Sequence, residues 1–233
     1  TGNLRSPKTY TLTAGEEKID LSKKNLGPAD INLISAWVAT SADAALKEVV
    51  LDKNMLSGSE GKYAWESFAE VKRLDADLSG FNLLCEALAS SRIEIVSMQS
   101  CYLGPQALTV LAKAVSSMAA VTSLNLDSND LFGDRRNPDK FAAQCEPFFV
   151  ALKESQIAVL SLKGTGMGPT ACGMLATSLS AALIEAAPDA LASAQELRLG
   201  GRQGDAEAQL LARSLAACGS LTVLDLSDSN LTR

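Results

Sequence analysis

The chain has 233 residues, a formal net charge of −6 and no histidine. The acidic balance argues against a nucleic-acid groove, which needs a basic face, and the absence of histidine excludes the usual general base and the commonest zinc ligand. Apolar residues make up 47% of the chain and aromatic residues only 5%, so we expect a core of Leu, Ala, Val and Ile in one large domain or two small ones.

The first 17 residues are predicted to form an N-terminal cap or extension that includes Tyr10 and Leu12. From Lys18 onwards the chain repeats one pattern, in which a short apolar segment precedes a longer one with helical spacing. A clear copy reads L-x-x-V-x-L-x-x-N-x-L and is formed by Leu46, Val49, Leu51, Asn54 and Leu56.

Copies of this pattern recur along nearly the whole chain, and together they make seven units. The interval between fourth positions ranges from 27 residues, between Leu197 and Leu224, to 47 residues, between Val49 and Val96, so the longer units must contain insertions. The other copies are Ile19, Leu21 and Leu26; Ile93, Val96, Met98, Cys101 and Leu103; Val121, Leu124, Leu126, Asn129 and Leu131; Ile157, Leu160, Leu162, Thr165 and Met167; Ala194, Leu197 and Leu199; and Leu221, Leu224, Leu226, Ser229 and Leu231.

Each unit is predicted to contain a strand and a helix. The apolar residues at the fourth and sixth positions lie on one face of a short strand, and the residues between them point to the other face. Helical spacing follows, for example in the segment Pro105–Val115. At the ninth position, Asn54 and Asn129 are predicted to bind the backbone of the turn through both the oxygen and the amide. Repeated strand–helix units favour a parallel sheet with helices packed on one side.

These repeats resemble the leucine-rich repeat family, and most closely its long-repeat subtype, found in ribonuclease inhibitor and the Ran GTPase-activating proteins. The resemblance extends from about Lys18 to Leu231. It implies an α/β solenoid over residues 18–233, with a curved parallel sheet on the concave face and helices on the convex face. It implies little about function, because many unrelated proteins share this fold.

Two units contain insertions between strand and helix, near residues 57–78 and 132–140. Both insertions follow a strand, so they are expected to project from the same rim of the stack, roughly 10 Å apart, and to form a joint contact surface. Aromatic residues and arginine are enriched at interface hot spots. The alternative is that the aromatic residues fold back onto the stack as a local helix. The candidate residues are Tyr63, Trp65 and Phe68 in the first insertion and Arg135 and Arg136 in the second.

On the strand face opposite the core, the side chains near the centre are predicted to be small and uncharged. Ser97, Ser123, Asn125 and Ser161 lie there, where a peptide or a helix of a partner protein would find hydrogen-bonding groups. The alternative is that these side chains are simply what a solvated strand face tolerates. The segment Gly164–Gly168 superficially resembles a phosphate-binding loop, but it lacks the following Lys-Ser/Thr, so we predict a turn.

The five cysteines are dispersed, with no CxxC spacing, which predicts free buried thiols rather than disulfides or a zinc site. We therefore expect no metal, no cofactor and an intracellular, cytoplasmic location. No apolar run approaches 18 residues, so no membrane span is predicted. The cysteines are Cys85, Cys101, Cys145, Cys172 and Cys218.

The sequence predicts a non-catalytic scaffold for protein–protein interaction, or a subunit of a larger assembly, with an unidentified protein partner. No constellation of side chains supports hydrolysis or group transfer, so we do not expect an enzyme. The alternative is a GTPase-activating or other regulatory protein of the Ran GTPase-activating type that uses Arg135 or Arg136 on the rim.

The end of the repeat array is expected to need a cover. The last strand, around Leu224 and Leu226, has no following helix in the sequence, and a bare edge strand exposes both hydrogen-bonding groups and apolar surface. We therefore expect further chain or another subunit to cover this end. Before it, Pro169–Ala187 is predicted to be a long helix that packs into the core through Cys172, Leu175, Leu179 and Leu183.

Overall fold

A computed structural model describes residues 8–40, 45–64, 67–185, 196–199 and 223–226, with only the backbone of residues 62–64, 67–70, 179–185, 196–199 and 226. Strands and helices alternate along most of this chain, as the repeat pattern predicts. The elements are β1 (Lys18–Asp20), α1 (Pro28–Thr40), β2 (Glu48–Val50), β3 (Glu60–Ala64), β4 (Ser67–Arg73), α2 (Ser79–Ser90), β5 (Ile95–Ser97), α3 (Pro105–Val115), β6 (Ser123–Asn125), α4 (Ala142–Lys153), β7 (Val159–Ser161), α5 (Pro169–Glu185), β8 (Glu196–Leu199) and β9 (Val223–Leu226).

Seven of the strands form one parallel sheet in the order β1-β2-β5-β6-β7-β9-β8. The fourth-position residues of the repeats lie in register across it, which confirms that the sequence pattern marks equivalent strand positions. This row runs through Ile19, Val49, Val96, Leu124, Leu160 and Leu224, with Leu197 beside Leu224. The fold is therefore a mixed α/β fold with a parallel sheet.

The end of the sheet differs from the sequence expectation. The last strand of the described residues, β9, is not bare, because it lies between β7 and β8 and pairs with both. The edge strand is β8. Both strands have the same Leu-x-Leu alternation, so the pattern of apolar side chains does not determine which of them pairs with β7.

One hydrophobic core lies between the sheet and the helices. Helices α1 to α5 pack side by side in chain order, and their buried faces contact the inward side chains of the strands. The opposite face of the sheet is open, and on it Ile95 and Val159 are 40% and 37% exposed. Leu175 and Cys172 of α5 are buried as predicted, whereas the side chains of Leu179 and Leu183 lie outside the described residues.

The ninth-position asparagines bind the backbone as predicted. The Oδ1 atom of Asn54 accepts the N–H of Leu26 at 2.9 Å, while its amide donates to the carbonyl oxygens of Leu21 and Leu51 at 2.9 and 2.7 Å. Asn129, two units further along, makes the equivalent bonds with Leu103, Met98 and Leu126, and its Oδ1 atom also accepts the N–H of Cys101. Each of these side-chain amides therefore joins the turn after its own strand to the turn after the neighbouring strand.

The cysteines within the described residues are free and buried, as the sequence predicts; Cys218 lies outside them. Burial raises the pKa of Cys101 to about 12, and its thiol donates to the carbonyl oxygen of Leu51 at 3.2 Å. Cys101 therefore occupies the asparagine position of its unit as a structural residue.

The first insertion forms a β-hairpin rather than a local helix. Strands β3 and β4 pair antiparallel, with Tyr63 opposite Phe68. The idea of a local helix was wrong because the spacing of the aromatic residues fits both structures, while the hydrogen bonds of the hairpin are formed between strands. The side chains of Tyr63 and Phe68, and all of Trp65, lie outside what the structure describes.

A candidate binding cleft at the rim of the sheet

The two insertions lie at the same edge of the sheet, as predicted. They follow the carboxyl ends of β2 and β6, which have only β5 between them. We call this edge the rim. A cleft of about 360 Å³ lies here, and both insertions line it. The first contributes Val71, Lys72, Leu74 and Asp75. The unit that carries the second contributes Asp130, Asp134, Lys140, Phe141 and Gln144, and α3 closes the cleft with Pro105 and Gln106. We call this space the rim cleft.

Asp75 fixes the base of the hairpin against the helix of the next unit. Its carboxylate accepts the backbone N–H groups of Gly104 and Gln106, both at 2.9 Å, and of Ala107 at 3.0 Å. These groups begin α3, so the carboxylate satisfies the positive end of that helix. The backbone N–H of Asp75 also donates to the Ser59 hydroxyl at 2.9 Å, which joins the two ends of the hairpin.

Asp139 holds the second insertion in the same way. Its carboxylate accepts the N–H groups of Gly168 at 2.8 Å, Thr170 at 2.7 Å and Ala171 at 3.1 Å, at the start of α5. Both aspartates have a left-handed backbone, with φ of 54° for Asp75 and 61° for Asp139. Asp is among the residues that adopt this conformation most readily.

The glycine at each of these helix starts is required by the aspartate. A Cβ atom on Gly104 would lie 2.7 Å from the Asp75 carboxylate, and one on Gly168 would lie 2.6 Å from that of Asp139. The segment Gly164–Gly168 is therefore a turn, as predicted, and a carboxylate of this chain already occupies its helix start. Sequence reasoning missed both aspartates, although each precedes its Gly-Pro pair by 29 residues.

Asp130 lies in the rim cleft without a comparable partner. No hydrogen bond or ion pair of the described residues reaches its carboxylate, which is partly buried. Burial raises the pKa of Asp130 to about 6, the negative charge of Asp134 raises it further, and the positive charge of Lys140 opposes this. Sequence reasoning missed Asp130, because only its packing distinguishes it from an ordinary surface aspartate.

Two of the neighbouring charges of the cleft, Asp134 and Lys140, have partners within the chain, whereas the exposed Lys72 has none among the described residues. Asp134 accepts the N–H groups of Arg136 and Asn137 at 2.7 and 2.9 Å; burial raises its pKa, but these bonds outweigh burial and lower it. The ammonium group of Lys140 lies 5.0 Å from the centre of the Phe141 ring, within the range of a cation–π contact. Asp130 is therefore the carboxylate of the cleft that still lacks a donor.

The structure does not bring the predicted arginines into the cleft. Arg135 and Arg136 are exposed on the 132–140 loop, and neither lines the cavity. Their side chains make no hydrogen bond or ion pair with the part of the chain that the structure describes. The two residues thus lie on the predicted rim, but next to the cavity rather than within it.

The open face of the sheet uses most of its predicted polar residues internally. The hydroxyl of Ser97 donates to Asp52 at 2.7 Å, and that of Ser161 donates to Asp127 at 2.6 Å. The Oδ1 atom of Asn125 accepts the backbone N–H of Asp127 at 2.9 Å. Burial raises the pKa of Asp127, while the Ser161 hydroxyl opposes the shift.

Each of these aspartates also accepts a backbone N–H from the next unit, that of Gln99 for Asp52 and that of Lys163 for Asp127, both at 2.9 Å. Ser123 differs, because its hydroxyl has no hydrogen-bond partner among the described side chains and backbone. The polar side chains of this face therefore mainly link consecutive turns, which favours the structural interpretation of the sequence pattern.

No protein-family model matches this chain, and no curated protein matches it. Within the described ranges, no helix is long and apolar enough to span a membrane. The same ranges contain no group of three or more Cys, Asp and Glu side chains arranged to hold a metal ion.

Proposed function

We propose that the chain is a leucine-rich-repeat solenoid of the ribonuclease-inhibitor-like subtype and that it acts as a non-catalytic scaffold for protein–protein interaction or as a subunit of a larger assembly. The rim cleft carries this proposal. Regular repeats need no insertions to form their core, so two insertions that line a common cavity indicate a feature added to the scaffold.

The anchoring of the insertions supports binding at the cleft. Asp75 and Asp139 fix both insertions to the starts of helices, so the walls of the cleft are held apart before any partner arrives. A preformed surface loses less conformational entropy on binding than a mobile one. Val71, Leu74 and Phe141 add apolar surface to polar groups, a combination typical of binding pockets.

The experiment fills the cleft with a bulky charge and asks whether a partner is lost. Gln144 is exposed on α4 and lines the cleft, whereas Ala143 is exposed beside it and does not. Wild type, Gln144→Arg and Ala143→Arg are used to capture proteins from the source organism, and the captured proteins are identified by mass spectrometry.

We expect a reproducible partner that wild type and Ala143→Arg capture and Gln144→Arg loses. A partner that all three proteins capture equally would move the contact away from the cleft. If no protein is captured reproducibly by wild type, the scaffold proposal is wrong.

The GTPase-activating alternative has one observation in its favour. Arg135 and Arg136 are exposed on the rim, and their side chains have no partner in the described structure, as a catalytic arginine offered to another protein would require. Such an arginine contributes about 10³- to 10⁵-fold to GTP hydrolysis.

A panel of small GTPases tests this alternative. Acceleration by wild type must be lost in one of the two Arg→Ala variants and kept in Arg92→Ala, which changes an exposed arginine away from the insertions. Without acceleration by wild type, this alternative is excluded for the panel.

A further inference from the structure

The rim cleft offers no free helix start to an anion. The start of α3 is the usual place for an anion at such a site, but the Asp75 carboxylate already accepts the N–H groups of Gly104, Gln106 and Ala107. An incoming phosphate or carboxylate would therefore meet a negative charge there instead of free donors.

The Asp130 carboxylate indicates which kind of ligand the rim cleft would bind. Partial burial of a carboxylate without a hydrogen-bond donor is unfavourable, because it removes part of the surrounding water and no donor of the described chain replaces it. Asp134 lies close enough to repel its charge. Lys72 and Lys140 also line the cleft, but neither forms an ion pair with Asp130, and Lys140 attracts it only at a distance. A cation from outside would supply both the charge and the donors.

The shape of the cleft favours an arginine side chain over a metal ion or a bare ammonium group. A metal ion needs several ligands, and the described residues offer no group of three near one another. A guanidinium group instead pairs with one carboxylate through two parallel hydrogen bonds. Its aliphatic stem needs an apolar wall, which Val71, Leu74 and Pro105 supply, and the side-chain oxygens of Gln106 and Gln144 offer further acceptors.

We propose that the rim cleft binds an arginine side chain of a partner protein, with the Asp130 carboxylate as its paired anion. This inference rests on the proposed scaffold function and specifies the chemistry of the partner. A cavity of about 360 Å³ accommodates one such side chain with room for solvent.

The test uses a small probe, so it does not depend on finding the partner. N-acetyl-arginine amide is titrated into the ¹⁵N-labelled full chain and followed by NMR, with the neutral isostere N-acetyl-citrulline amide as the ligand control. Asp130→Asn removes the charge at nearly constant shape. Glu146→Gln, on an exposed position of α4 outside the cleft, is the matched control for loss of one carboxylate.

We expect saturable shifts of the Gln106, Phe141 and Gln144 amide signals with the arginine probe, at a dissociation constant in roughly the millimolar range. Asp130→Asn should weaken binding at least tenfold, Glu146→Gln should leave it unchanged, and citrulline should not saturate. Since the carboxylate must be ionised, affinity should also rise between pH 5 and pH 7.

Three results would overturn the inference: no saturable shifts with the arginine probe, an equal response to citrulline, or unchanged binding in Asp130→Asn. The unfolding curve of Asp130→Asn shows whether that variant is folded. If the probe fails while capture still depends on Gln144, the scaffold proposal stands and the arginine is wrong. If the probe binds but no partner is captured, the proposed function fails instead.

Discussion

The open face of the sheet and the rim cleft both present aspartates, but the two regions use them differently. On the sheet face, Asp52 and Asp127 each accept a serine hydroxyl and a backbone N–H from the next unit. In the cleft, Asp75 is fully engaged, whereas Asp130 accepts no bond from the described chain. The comparison teaches that a candidate binding carboxylate differs from a structural one in accepting no hydrogen bonds from its own chain. Exposure does not distinguish the two.

The largest effect on the free energy of unfolding is expected where one carboxylate accepts several hydrogen bonds. Asp75→Ala removes the acceptor of three backbone N–H groups, two of which belong to buried residues, and releases the hairpin from α3. We expect the free energy of unfolding to fall by about 3 kcal/mol, because unsatisfied buried donors cost more than a lost surface bond. Urea denaturation followed by circular dichroism measures this.

The control for that change is Asp77→Ala, which removes an exposed aspartate that accepts the N–H and hydroxyl of Ser79 at the start of α2. We expect a loss of about 1 kcal/mol, the usual net contribution of a hydrogen bond. Equal losses for Asp75→Ala and Asp77→Ala would show that Asp75 acts only as an ordinary cap and does not hold the hairpin.

Asp130 accepts no hydrogen bond from the described chain, so removing its charge should raise the free energy of unfolding instead of lowering it. The pKa of Asp130 is raised by burial to about 6 from an ordinary value of 3.8, so the folded state holds this proton more tightly than the unfolded state does. Its contribution to stability is therefore full below pH 4 and is lost as pH rises towards 6. We expect Asp130→Asn to increase the free energy of unfolding by about 1–2 kcal/mol at pH 7.5, after allowance for remaining contact with water.

The measurement is a series of urea unfolding curves of wild type and Asp130→Asn between pH 4 and pH 8. The advantage of the variant should grow through pH 4–6 and then stay constant. A variant that is less stable than wild type at pH 7.5 would mean that the carboxylate has a stabilising partner after all, which would remove the contrast between Asp130 and Asp75.

The sequence predicts those parts of the fold that depend on neighbouring residues in the chain. Alternation within one strand is local, so the row from Ile19 to Leu224 is recognisable from the repeat pattern alone. The turn amides of Asn54 and Asn129 follow from the same repeat. Placing both insertions on one rim required only that the strands run parallel.

The remaining features depend on contacts between distant residues. The Asp75–Gly104 bond joins residues 29 apart and is specified by the way the hairpin folds, which the ambiguous spacing of its aromatic residues did not reveal. The position of β9 between β7 and β8 could not be predicted, because β8 and β9 have the same alternation. The missing partner of Asp130 is a property of three-dimensional packing that no local pattern contains.

The smallest effects are expected on the sheet face, where two serines on adjacent strands can be compared. The Ser161 hydroxyl donates to Asp127 at 2.6 Å, while that of Ser123 has no hydrogen-bond partner in the described structure. We expect Ser161→Ala to lower the free energy of unfolding by about 1 kcal/mol at pH 7 and Ser123→Ala to change it by less than about 0.5 kcal/mol. Ser161→Ala should also raise the pKa of Asp127 further, since the hydroxyl opposes the effect of burial. Urea unfolding and NMR titration of the Asp127 carboxyl carbon measure the two effects. Equal changes for both serines would show that the hydrogen bond between Ser161 and Asp127 adds nothing to stability. The contrast between the bonded aspartates of the sheet face and Asp130 of the rim cleft would then be lost.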